Sequence, residues 1–171
     1  ETYATAKTWT LAGGDGTKTV YVQFQDAAGN WSSAATDTIV LDTTAPSISA
    51  ITTTVVTSSS VTIAWTTNEP STSQVDYGPT TAYGTTTSLD TALVTSHSVT
   101  LNGLTANATY NLRVRSSDAL GTEGVSANTT FIIDTTAPSI PAGLTATAVS
   151  SSQINLYWTA STDNVAVTGY Q

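Results

Sequence analysis

The side chains that could do chemistry in this sequence start with a single histidine, His97, in Ser96-His97-Ser98. A hydroxyl nucleophile needs a base oriented by a third group and an oxyanion loop beside it. Neither a strained serine turn nor such a loop is legible around His97. His97 is therefore read as an exposed strand residue rather than a catalyst. The carboxylates Asp15, Asp26, Asp37, Asp42, Glu69, Asp76, Asp90, Asp118, Glu123, Asp134 and Asp163 are scattered. A glycosidase needs two of them facing across a gap of roughly 5–10 Å, and the narrow strand pairs described below offer no cleft of that kind. The sequence is read as non-enzymatic, with no cofactor.

Metal ligation is the next chemistry to weigh. Asp26, Asn30 and Asp42 lie at turns and at a linker where oxygen ligands could converge. A hard cation wants about six to eight oxygens, and no Asp-x-Asp-x-Asp spacing supplies them. The expectation is no bound ion. Turn chemistry accounts for these residues instead, with Asp and Asn bonding local amides and Gly29 or Gly121 supplying positive φ. Arg113 and Arg115 share the outward face of one strand and are read as surface ion-pair partners. Asn30-Trp-Ser, Asn107-Ala-Thr and Asn128-Thr-Thr make Asn30, Asn107 and Asn128 candidate glycosylation sites.

These residues must be positioned by strands. Val61, Ile63 and Trp65 alternate with Thr62, Ala64 and Thr66, and Val20, Val22 and Phe24 with Tyr21, Gln23 and Gln25. That period of two marks half-buried strands. Strands are expected over 49–56, 61–67, 73–78, 95–101, 110–117 and 126–133, with a further one at 38–41. Asp26-Ala-Ala-Gly-Asn recurs as Asp118-Ala-Leu-Gly-Thr, and Leu41-Asp-Thr-Thr-Ala-Pro-Ser-Ile recurs as Ile133-Asp-Thr-Thr-Ala-Pro-Ser-Ile, each pair 92 positions apart. One repeat is therefore about 92 residues long. The division that follows is 1–45 as the second half of a module, 46–137 as a complete module and 138–171 as the first half of another, with its third strand opening near Tyr170.

Trp65 in Val61-Thr-Ile-Ala-Trp, together with Leu104 and Tyr110 in Leu101-Asn-Gly-Leu-Thr-Ala-Asn-Ala-Thr-Tyr, resembles the fibronectin type III sandwich. The first part also resembles bacterial Ig-like repeats through its Gly-Asp-Gly turn, Val-rich strand and Asp-Ala-Ala-Gly-Asn turn. The resemblance implies an all-β fold of tandem Greek-key sandwiches. Trp65 would lie in the core, and Tyr110 would form the corner whose hydroxyl reaches back to upstream backbone. Ala106 stands where that turn commonly has proline. Trp158, Val22 and Phe24 are the matching core residues of the two outer parts.

Composition narrows the partners. Ser and Thr make up about a third of the chain, charged residues are 9% and net charge is -8 with four Lys plus Arg. Four cations cannot supply the clustered positive charge that nucleic acid or an anionic membrane requires. No cysteine is present and no apolar run reaches the roughly 20 residues of a membrane span. The opening residues read as internal to a longer exported polypeptide. The leading expectation is an extracellular or cell-surface structural or adhesive stalk or filament, its half modules completed either by neighbouring modules of the same protein or by self-association, head to tail, with neighbouring copies. The alternative is an accessory region of a large secreted carbohydrate-active enzyme, which Ser150-Ser-Ser-Gln-Ile-Asn-Leu-Tyr-Trp resembles. A glycan-binding surface would need an exposed aromatic platform, for which Tyr77, Tyr83 and Tyr157 are the candidates.

Overall fold

The computed structural model describes residues 4–171, and every regular element among them is a strand. Two strands come first, β1 (Gly16–Val22) and β2 (Ala35–Leu41), paired antiparallel in continuous register from Gly16↔Leu41 to Val22↔Ala35. Seven follow: β3 (Ile48–Thr57), β4 (Ser60–Gly78), β5 (Thr85–Thr86), β6 (Asp90–Leu101), β7 (Thr109–Ser117), β8 (Glu123–Val125) and β9 (Thr129–Ile132). The last two, β10 (Ala142–Ser150) and β11 (Gln153–Thr159), form a separate antiparallel pair.

The 19-residue β4 builds both layers of the central sandwich. Its first half pairs with β3 on one side and β6 on the other. Its second half pairs with β5 and β7, and β7 in turn holds β8 and β9. The strand changes layer at Asn68-Glu69-Pro70, where the β6 register jumps from Thr66↔Ser96 to Ser71↔Val94. Pro70 has no amide to give to a ladder, so the interruption falls where the chemistry requires one. The expected strands 61–67 and 73–78 are thus one bent strand, while β5 and β8 are additional to the expected set.

Alternation along β4 sends Val61, Ile63 and Trp65 inward, all at 0–1% exposure, against Val75, Leu112, Val114, Phe131 and Ile133 of the other layer. Burying each such aliphatic contributes roughly 1.5–3 kcal/mol. Trp65 also donates its indole N–H to Ser116 Oγ at 3.0 Å, so its one polar atom is satisfied inside the core. At the corner before β7, the Tyr110 hydroxyl accepts the Thr105 amide at 2.9 Å while its ring stacks on Phe131. Leu104 is buried beside them.

The outer pairs differ. Val22 (48% exposed), Phe24 (51%) and Trp158 (39%) do not sit in a core, and this corrects the expectation that they would. Val22 and Trp158 belong to two-stranded layers, and Phe24 follows β1 directly, with no second sheet packed on either layer among the described residues; one layer cannot enclose its own apolar face. An open groove of about 1100 Å3 runs along the first pair, lined by Trp9, Val20, Val22 and Trp31. Trp158 is shielded in part by Tyr170, whose ring meets it edge-on at 5.2 Å. Residues 160–171 contain no strand, so the third strand expected near Tyr170 is not formed.

Candidate functional site

His97 is not an exposed strand residue. It is 2% exposed and lies opposite Trp65 in the β4–β6 ladder, its ring stacked on the indole at 4.9 Å and 5° from parallel. Ser73 Oγ sits 2.8 Å from Nδ1 and Thr67 Oγ1 2.9 Å from Nε2. Thr67 donates its hydroxyl proton to the Glu69 carbonyl and accepts from Ser71. Its oxygen can therefore only accept from the ring, which places the His97 proton on Nε2 and leaves Nδ1 to accept from Ser73. Burial pushes the His97 pKa down, against the pull of Asp90. The neutral ring fits both bonds.

A hydroxyl 2.8 Å from an imidazole nitrogen is also the contact of a nucleophile with its base. Here Ser73 is 3% exposed and Thr67, not a carboxylate, holds the other nitrogen. A substrate has no approach to this oxygen, and the group works as a satisfied polar plug in the core. The signal for His97's burial was its parity with Val99 and Leu101 on the same strand.

Asp76 joins the outward arginines. It is 4% exposed and burial pushes its pKa up, but the Thr86 hydroxyl, Arg113 at 2.8 Å and the nearby Arg115 charge outweigh this and hold it below 3.8. Arg115 also reaches Glu123 at 2.7 Å. The arginines thus serve a buried carboxylate as well as a surface one. Arg113 lies 4.9 Å over the Tyr83 ring, Tyr77 packs on the core, and only Tyr157 of the three candidate aromatics is largely exposed. They do not make a flat platform.

The junctions between repeats carry the remaining chemistry. Asp15 Oδ1 accepts the Thr43 amide at 2.8 Å and the Thr43 hydroxyl at 2.7 Å, and its other oxygen accepts the Thr44 hydroxyl. Asn107, 92 positions on, accepts the Thr135 amide at 3.0 Å. One turn residue therefore ties down the linker threonine in both repeats. Pro46 is buried with its carbonyl against Gly124, whereas its counterpart Pro138 is exposed.

Asp26, Asn30 and Asp42 do not converge. Asp26 takes the Asn30 amide on Oδ1 and the Asn30 side chain on Oδ2, bonds that lower its pKa and close a self-contained turn. Asp42 instead meets two residues not singled out in the sequence, Glu69 at the β4 bend and Asp118 in the turn after β7, with one carboxylate oxygen of each within 4.8 Å of the others. Asn30 and Asn128 are exposed with their side-chain amides donated to Asp26 and Asn111, and Asn107 turns its oxygen to the linker.

Residues 46–132, which span β3 to β9, match the family described as Purple acid Phosphatase, N-terminal domain. Chitinase A1 of Niallia circulans is 38% identical over 138 residues, 76% of this chain and 19% of that protein. Exoglucanase B of Cellulomonas fimi is 38% identical over 153 residues, 81% of this chain and 14% of that protein. Endoglucanase B of Cellulomonas fimi is 38% identical over 117 residues, 64% of this chain and 11% of that protein. The chain thus spans less than a fifth of these relatives. Among solved structures, the central fibronectin-III array of RIM-binding protein aligns with a TM-score of 0.40 at 21% identity, covering 83% of this chain and 54% of that one. The layers, the Trp65 core and the Tyr110 corner are those of fibronectin type III-like modules in tandem.

Proposed function

We propose that this chain, which belongs through residues 46–132 to the family of the purple acid phosphatase N-terminal domain, is a non-catalytic spacer of tandem β-sandwiches within an exported carbohydrate-active enzyme. One observation carries the reading: alignments that cover 76% and 81% of this chain cover only 19% and 14% of a chitinase and an exoglucanase. Its resemblance is to a small portion of such enzymes, and the buried Ser73–His97 pair gives it no reacting group of its own. An extracellular location belongs to the same reading, and the 92-residue repeat supports a division into 1–45, 46–137 and 138–171. The linkers held by Asp15 and Asn107 suit a part whose task is to set distance.

The test is to delete this segment from the polypeptide that carries it and to assay soluble and insoluble polysaccharide. Hydrolysis of a soluble oligosaccharide should be unchanged and that of the insoluble polymer reduced. Sugar release by the segment alone, or flanking sequence made only of further repeats, overturns the reading. The stalk or filament alternative draws on the exposure of Val22, Phe24 and Trp158. It requires concentration-dependent growth of the isolated chain, which light scattering detects and which Trp158→Ser would abolish.

A further inference from the structure

We propose that Asp42, Glu69 and Asp118 form a calcium site at the junction between the β1–β2 pair and the central sandwich. Each offers a carboxylate oxygen, and the three oxygens lie within 4.8 Å of one another. Among the described residues, no lysine or arginine pairs with any of them. Three like charges at that distance repel unless a cation stands between them. Oxygens bound to one calcium ion at roughly 2.3–2.6 Å stand at most about 4.6–5.2 Å apart, and the separations here fall within that limit.

The independent sign is Asp118 itself. It is 7% exposed, its Oδ1 accepts the amides of Leu120 at 2.8 Å and Thr122 at 2.9 Å, and its Oδ2 is buried with no hydrogen-bond partner. A buried carboxylate oxygen without a donor is costly unless a charge completes it. Comparison with the preceding repeat shows how it arises. Asp26 stands 92 positions earlier and its Oδ2 takes the Asn30 side-chain amide. Thr122 replaces that asparagine, and its hydroxyl closes no hydrogen bond to Oδ2.

One member of the arrangement has a counterpart at the next junction. Asp134 follows Asp42 by 92 positions. Ser139 and Thr162 are hydrogen-bonded to each other there, and Asp163 is next in the chain. Asp163 Oδ2 is likewise buried without a partner. A cation at the first junction would tie the segment after β2 to both the β4 bend and the β7–β8 turn, and so fix the angle between repeats.

The test uses the whole chain, stripped with chelator and titrated with calcium, read by calorimetry and by Tm. Calcium at about 5 mM should bind with one site per chain and raise Tm by about 3–6 °C, given the sub-millimolar to millimolar affinity of extracellular sites. Glu69→Gln and Asp42→Asn should abolish the rise, while their Tm in chelator stays at or above that of the unsubstituted chain, because each relieves repulsion. Asp118→Asn also alters the turn, so the decision rests on the other two. No shift with calcium, an equal shift with magnesium, or a shift that survives Glu69→Gln overturns the site. None of these outcomes bears on polysaccharide hydrolysis, so the spacer reading is judged separately.

Discussion

Trp65 and His97 are direct cross-strand partners on β4 and β6, with rings 4.9 Å apart and 5° from parallel. The pair couples an indole that donates to Ser116 with an imidazole held by Ser73 and Thr67, so the middle of the sandwich is fixed by geometry as well as by area. Trp65→Ala removes the largest buried side chain and should cost about 3–5 kcal/mol. Trp65→Phe keeps most of the packing but strands the Ser116 hydroxyl, for about 1–3 kcal/mol. Urea denaturation orders the variants, and a Trp65→Ala chain within about 0.5 kcal/mol of the parent, the size of a surface effect, would contradict this account of the core.

His97 makes stability depend on pH. Its folded pKa lies below 6.5 because burial disfavours the charged ring. Between those values the unfolded chain binds more protons than the folded one, so stability falls as pH falls. The contribution is complete above 6.5 and is lost as pH drops through the folded value. Urea midpoints between about pH 8 and pH 5 should decline for the parent and stay level for His97→Gln, in a window above the range where the carboxylates titrate. Parallel declines in both would assign the effect elsewhere.

How far such features could be read in advance varies with the physics behind each. Trp65 and Tyr110 were legible because a strand's period of two and a corner's spacing are local properties of the chain. His97 was within reach, since it shares parity with Val99 and Leu101, yet polarity suggested the surface. Its compensation comes from Thr67, Ser71 and Ser73, which only the β4 bend brings round. For Val22, Phe24 and Trp158, alternation told which face is apolar and nothing about what lies opposite it. The grouping of Asp42, Glu69 and Asp118 joins three distant segments, and no spacing rule contains it.

Two glycines are set by close approach rather than by backbone angle. A Cβ on Gly124 would stand 2.1 Å from the Pro46 carbonyl oxygen, and one on Gly78 would stand 1.4 Å from that of Tyr83. Both obstacles are backbone, which cannot swing aside. Gly124→Ala and Gly78→Ala should each cost about 2 kcal/mol or more, in the range of overpacking. Gly13→Ala, with nothing within 4 Å, serves as the neutral control. Thermal denaturation of the three decides it, and equal Tm values would mean that the linker does not sit where Gly124 places it.

The contact that repeats at the two junctions predicts an interchange. Asp15 and Asn107 occupy equivalent positions and each accepts the amide of a linker threonine, Thr43 or Thr135, through a side-chain oxygen. Aspartate already does in one repeat what asparagine does in the other, so Asn107→Asp should leave the second linker as ordered as before. Asn107 also sits at φ 57, a conformation that glycine tolerates freely and alanine does not. Asn107→Gly therefore removes the side-chain acceptor without adding strain, whereas Asn107→Ala does both. The Thr135 amide then has only water to bond, and its hydrogen exchange should quicken in Asn107→Gly and Asn107→Ala but not in Asn107→Asp. Global stability should fall most in Asn107→Ala, by about 1–2 kcal/mol from the lost bond and the positive φ together. Exchange at Thr135 that ignores all three substitutions would show that the linker is held by something other than this turn.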